Sequence, residues 1–233
     1  MNLPRTPERT AAPPDAAIFD MDGVLVDSNP FHVTNWARYL RDHGISFNSE
    51  DLPRQILGQR NDVAVRSFFG PNLTPEQIDH MGEEIEAGFR ESFRPHAKAP
   101  AGLMSLMEEC RQACIPMAVA SSAMKKNVDL VVEALGLESY CQAFINGDEV
   151  SRPKPDPEIY LLAAQRLGVD PSRTVAFEDS FFGIAAVHAA GMKCVAIAST
   201  FPFDQLRDET KADWVARSFE EVNLDRLRRL FQT

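Results

Sequence analysis

The sequence predicts an α/β fold, a doubly wound parallel sheet with a small all-helical segment inserted after the first strand. Three observations predict it. Short apolar runs, each followed by small or polar residues, recur along the chain, the pattern of strands buried on both faces. Helical patterns alternate with them, and several end at a glycine. Residues 30–96, by contrast, show helical periodicity and no convincing strand.

The elements follow in order. Residues 1–15 are expected to form a flexible N-terminal lead-in, with four prolines among the first 14 residues and no apolar stretch of a secretory signal. AAIF (16–19) is the first strand. FHVTNWARYLRDHG (31–44) is an amphipathic helix stopped by Gly44, and NDVAVRSFFG (61–70) resembles it. TPEQIDHMGEEIEAGFRESF (74–93) has Thr74 and Pro75 placed as N-cap and first helical residue. Residues 30–96 are therefore expected to be a helical cap, hinged at Ser28-Asn29-Pro30 and between Pro95 and Pro100. Residues 16–29 and 97–233 are expected to form the core. Its strands are IPMAVASS (115–122), TVAFED (174–179) and KCVAIAS (193–199). Its helices are AGLMSLMEECRQA (101–113), KKNVDLVVEAL (125–135), PEIYLLAAQRL (157–167) and FGIAAVHAA (182–190). Strand, helix, strand with glycine stops implies a Rossmann-like core.

Composition narrows the function. The 233 residues carry a net charge of −10, which disfavours a nucleic-acid partner because phosphate backbones demand a basic footprint. No apolar run approaches the roughly 20 residues of a membrane span. The four cysteines, Cys110, Cys114, Cys141 and Cys194, show no zinc spacing and read as reduced thiols. A cytoplasmic location follows as the expectation.

Ligands of open parallel sheets bind outside the carboxyl ends of the strands. The first strand ends in Asp20-Met21-Asp22-Gly23 and the second in Ser121-Ser122. Arg152-Pro153-Lys154-Pro155 follows Asp148, and the next strand ends in Glu178-Asp179. Extended residues at i and i+2 point to one side, so Asp20 and Asp22 are expected to share a space that Asp179 joins. Carboxylates so gathered call for a cation, and a hard divalent ion suits them. Lys154 and the Ser121 hydroxyl suit a phosphoryl oxygen. Each feature alone has a plain reading: a turn for Asp-x-Asp-Gly, a helix N-terminal pair for Glu178-Asp179, a cap for Ser121-Ser122, a surface lysine for Lys154. Four of them in order at strand ends point to a site.

DMDGVLVDS, VASSA, RPKPDPEIY and FEDSFFGIAAVHAAG together resemble the haloacid dehalogenase superfamily, in the branch of β-phosphoglucomutase and related sugar-phosphate phosphatases. The resemblance implies Asp20 as a nucleophile that takes up the phosphoryl group. It implies Asp22 as general acid and then base, Ser121 and Ser122 at the phosphoryl group, and Lys154 neutralising charge there. It implies Mg²⁺ held by Asp20, the Asp22 main-chain carbonyl and Asp179, with Glu178 beside it. Relatives of this kind are often monomers, and a monomer is expected. Asp22 with Asp179 argues for phosphate over halide chemistry. Residues 30–96 hold seven arginines and no lysine, which disfavours the cap-lysine Schiff base of phosphonatases.

NPFHVTNW (29–36) resembles the segment leading into the mutase cap, with His32 facing substrate or Asp22; packing of the first cap helix by His32 and Trp36 is the other reading. ILGQRNDV (56–63) resembles a cap loop that supplies a phosphate-binding arginine. Arg60 stands one place early, however, so substrate contact, an ion pair with Asp62 and a helix-end role are all open. GEEIEAGFRE (82–91) is acidic where the mutase offers lysine. The expectation is a Mg²⁺-dependent phosphatase of a small phosphorylated metabolite, with a β-phosphoglucomutase and a non-catalytic binding protein as alternatives.

Overall fold

The structure, a computed structural model, describes residues 12–232. Of the lead-in expected over 1–15, residues 1–11 lie outside the described part. The following residues are tied to the body, because Arg173 Nη2 donates to the Pro13 carbonyl at 2.7 Å and Asp15 N–H to the Arg173 carbonyl at 2.8 Å.

Strand β1 (Ala16–Phe19) leads into four consecutive helices, α1 (Asn29–Asp42), α2 (Leu52–Ile56), α3 (Asn61–Phe69) and α4 (Pro75–Phe93). Then come α5 (Leu103–Gln112), β2 (Met117–Ala120), α6 (Lys125–Leu135), β3 (Ala143–Ile145) and α7 (Glu158–Leu167). The chain continues through β4 (Thr174–Glu178), α8 (Phe181–Ala189), β5 (Lys193–Ile197), α9 (Phe203–Glu209), β6 (Trp214–Ala216) and α10 (Leu224–Arg229). The six strands form one parallel sheet in the order β3-β2-β1-β4-β5-β6. The chain winds outward from β1 to β3, returns to β4 on the other side of β1, and winds outward again. The switch point lies between β1 and β4, where a ligand crevice opens in such sheets.

Strand alternation builds a core on each face. Ala17 and Phe19 of β1 pack into one cluster with Val175 and Phe177 of β4, while Ile18 and Ala176 pack into the opposite cluster. Phe19 and Phe177 are register partners, and their rings stack at 4.7 Å with 11° between planes. A third cluster joins Trp36, Leu40, Leu52, Ile56, Val65, Ile78 and Ile85 from α1 to α4, so the helical segment carries a core of its own.

The helix signals have their physical counterparts. Thr74 Oγ accepts from Gln77 N–H and the Gln77 side chain accepts from Thr74 N–H, a complete capping box. Gly136 and Gly168 close α6 and α7 in the left-handed conformation. Five elements went unforeseen. Strands β3 and β6 are three-residue edges of the sheet, too short to show a period. Helices α2, α9 and α10 have five, seven and six residues, at most two turns.

The stacked pair beneath the switch point generates the first prediction. Phe177→Ala is expected to cost about 3–5 kcal/mol in urea unfolding. A loss under about 1 kcal/mol would show that the pair does not anchor the two central strands.

Candidate active site

The register of β1 and β4 delivers the first acids. Phe19 pairs with Phe177, so Asp20 and Glu178 leave the sheet side by side, followed by Asp179. One carboxylate oxygen from each lies within 4.8 Å of the other two, and all three residues are buried. Lys154 enters from the loop before α7. Its ammonium donates to Asp20 Oδ1 at 2.7 Å and to Glu178 Oε1 at 2.6 Å, and it is only 4% exposed. It is a buried lysine between two acids, and the surface reading does not apply.

Glu178 is saturated. Oε1 also accepts from the Tyr160 hydroxyl at 2.7 Å. Oε2 accepts from Asp179 N–H, Ser180 N–H and the Ser180 hydroxyl at 2.9, 3.0 and 3.0 Å. Asp179 Oδ2 accepts from Asn29 Nδ2 at 2.8 Å and from the Thr200 hydroxyl. Asp20 Oδ2 and Asp179 Oδ1 have no protein donor among the described residues. Burial lifts the Asp20 carboxyl to about 8, with the Glu178 charge adding to the lift and Lys154 opposing it. Burial lifts Asp179 well above the carboxylate range too, helped by Glu178 and Asp20. Burial works the same way on Glu178, but Lys154 outweighs it and holds Glu178 below its ordinary value. Three carboxylates facing one ammonium, with two hard oxygens free, fit a divalent cation. The free oxygens belong to Asp20 and Asp179; Glu178 is the partner that holds Lys154.

Close approach of backbone to these acids explains two glycines. A Cβ on Gly23, whose φ is +78°, would collide with the Asp179 carboxylate. A Cβ on Gly183, in the first turn of α8, would collide with Glu178.

Asp22 faces a different set of partners. Its carboxylate stands outside the three-acid cluster. Oδ1 accepts from the Ser28 hydroxyl at 2.5 Å and lies 3.3 Å from His32 Nε2. The His32 ring stacks on Phe89 of α4 at 3.7 Å. Burial pushes the Asp22 carboxyl up, but His32 and Ser28 outweigh it and hold Asp22 below its ordinary value. Burial pushes His32 down, and the Asp22 carboxylate overrides it, raising the imidazole. His32 thus both packs against α4 and lies beside Asp22.

Asp20, Asp22, His32, Ser121 and Ser122 line one cavity of about 50 Å³ between the strand ends and α1 to α4. Trp36, Asn61 and Glu86 line it from the helical side. Ser121 Oγ accepts from Ala123 N–H at 3.1 Å, and the Ser122 hydroxyl donates to the Gly58 carbonyl at 3.3 Å. Arg60 is not brought in. It forks onto Asp62 with two bonds of 2.7 Å and donates to the Val150 carbonyl at 2.8 Å, away from the cavity. Arg60 thus pairs with Asp62 and also stands at the N-terminal end of α3.

Reasoning from sequence passed over Tyr160, Asn29, Thr200 and Glu86. Tyr160 lies within RPKPDPEIY and three places after Pro157, so its helical turn returns it towards Lys154; that signal was readable. Asn29 and Thr200 carry no local mark, since their partner Asp179 is distant in the chain.

A family model described as haloacid dehalogenase-like hydrolase matches residues 17–197. The chain belongs to that family. This hydrolase is 32% identical over 210 residues to validoxylamine A 7'-phosphate phosphatase of Streptomyces hygroscopicus subsp. limoneus, covering 88% of this chain and 94% of that one. It is 31% identical over 209 residues to hexitol phosphatase A of Escherichia coli, covering 89% and 92%. It superposes on β-phosphoglucomutase of Clostridium difficile with a TM-score of 0.82 at 22% identity, covering 93% and 96%, a likeness of fold.

Removing Lys154 strands two buried acids. Lys154→Ala is expected to lose about 3 kcal/mol or more of unfolding free energy while far-UV circular dichroism stays native in buffer. Unchanged stability would mean that the lysine is not the counter-charge of this cluster.

Proposed function

We propose that this hydrolase is a Mg²⁺-dependent phosphatase of a small phosphorylated metabolite, a sugar or polyol phosphate, working through an aspartyl phosphate on Asp20. The observation that carries this reading is the pairing of two carboxylates with different surroundings on one cavity. Asp20 is fixed by Lys154 among acids, and Asp22 is held apart by Ser28 and His32. Environments that differ in this way divide nucleophile from proton carrier. The names of the phosphatase relatives support the substrate class.

Asp20 and Asp179, with the Asp22 main-chain carbonyl, would hold the cation. When bound, Mg²⁺ supplies charge neutralisation at the phosphoryl oxygens. Lys154 keeps the Asp20 carboxylate in place and adds positive charge beside the transferring group. Ser121, with a hydroxyl and adjacent backbone, positions a phosphoryl oxygen. An Asp20 oxygen bonds to phosphorus as the bond from phosphorus to the leaving oxygen breaks. The Asp22–His32 pair delivers the proton to that oxygen through Asp22. Water then attacks phosphorus, Asp22 takes its proton, and the Asp20 carboxylate leaves with its electron pair as phosphate departs. Little is asked of the protein beyond in-line positioning and charge.

A cavity of about 50 Å³ holds one or two waters, not a sugar phosphate. The helical segment would therefore swing away to admit substrate and close to exclude solvent, hinging near Asn29 and residues 94–100. Among the residues lining the cavity there is no lysine or arginine. A mutase holds two phosphates at once, so this lining favours hydrolysis over phosphoryl transfer between sugar positions.

The decisive screen offers purified protein with Mg²⁺ a panel of sugar and polyol phosphates and reads released phosphate. β-Glucose 1-phosphate with a bisphosphate primer is followed separately for glucose 6-phosphate. Phosphate release is expected; isomerisation without release would make the protein a mutase. Asp20→Asn is expected to lower turnover by at least about 10³-fold. EDTA is expected to abolish turnover and added Mg²⁺ to restore it, and full activity in EDTA would remove the cation from the mechanism.

A further inference from the structure

The cavity has a second acidic pole opposite the strand ends. Glu86, on α4, is 4% exposed and lines the cavity. Its Oε1 accepts from Asn61 Nδ2 at 2.7 Å and its Oε2 from Asn127 Nδ2 at 2.5 Å. No lysine, arginine or histidine lies within ion-pair distance of it among the described residues. The nearby cations are engaged elsewhere. Arg90 binds Asn127 Oδ1 and Glu83, Lys126 binds Glu83, and Arg60 binds Asp62. Glu86 is thus a buried carboxylate whose protein partners are two amide donors, and its remaining lone pairs are open to donors in the cavity.

We propose that Glu86 is a specificity-determining residue, selecting a monophosphate whose leaving group presents hydroxyl donors and rejecting one that carries a second phosphate. The inference rests on the phosphatase reading above and narrows its substrate class. The phosphoryl group would sit at the strand ends, so the rest of the molecule extends towards Trp36, Asn61 and Glu86. Hydroxyls there donate to a carboxylate that already has two fixed partners. A second phosphate would meet a like charge with no lysine or arginine in the lining to offset it, and like-charge contact discriminates strongly. Asn61 and Asn127 hold the carboxylate on both oxygens, from α3 and from α6, so the selecting group is pre-positioned when the segment is closed.

The test compares kcat/KM for fructose 1-phosphate and fructose 1,6-bisphosphate in wild type, Glu86→Gln and Glu86→Asp, with p-nitrophenyl phosphate and Asp20→Asn as the reference for chemistry. Wild type is expected to prefer the monophosphate by about tenfold or more, chiefly through KM. Glu86→Gln is expected to shrink that ratio by about tenfold, while Glu86→Asp, which keeps the charge, retains the preference. A Glu86→Gln ratio equal to wild type, or the same loss of preference in both variants, overturns the selector role. If that happens while Asp20-dependent release from p-nitrophenyl phosphate persists, the phosphatase reading stands. If no protein releases phosphate in an Asp20-dependent way, the phosphatase reading fails first and the selector role falls with it.

Discussion

Lys154 sits between Asp20 and Glu178 with both contacts under 2.8 Å and almost no solvent. Several acids buried together would repel one another or take up protons. One ammonium in the middle makes their company tolerable, and the rest of the site is arranged around that compromise. Glu178 is consumed by five donors so that it can hold the lysine, Tyr160 completes the shell, and Asp20 is left with one oxygen unengaged. A buried ion triad is a poor source of stability compared with apolar packing. Its presence at the centre of the sheet is better understood as preparation for charge that arrives with a ligand.

The topology makes that cluster possible. A strand order that reverses between β1 and β4 sets the ends of the two central strands next to each other. The Phe19–Phe177 stack and the continuous apolar faces below hold them there. The chemistry is thus placed at the ends of fully buried central strands, while the helical segment carries its own core. Asn29 and His32, in the first turn of α1, reach the acids Asp179 and Asp22, so the same helix that begins the segment also touches both halves of the site.

Much of the site was legible because its residues sit at strand ends with recognisable chemistry. Asp20, Asp22, Ser121 and Asp179 are each marked by an apolar run that gives way to polar residues, while Lys154 is marked by the Arg-Pro-Lys-Pro segment after Asp148. Lys154 was readable as a participant but not as a buried one, since burial depends on the fold around it. Arg60 shows the opposite case. The loop that carries it resembles a phosphate-binding loop, yet Asp62 two places on captures the guanidinium.

What the sequence determined by itself was local and periodic: the central strands, the longer helices, the glycine and capping stops, the helical insertion, and the strand-end residues with a charge or hydroxyl to offer. These follow from patterns within a few residues. Tertiary structure alone decided the short edge strands β3 and β6, the saturation of Glu178, the roles of Asn29 and Thr200, and the amide-only setting of Glu86. Each of those depends on partners far apart in the chain. A hydrogen bond or an unpaired charge is a property of two positions in space, and no single stretch of sequence contains both.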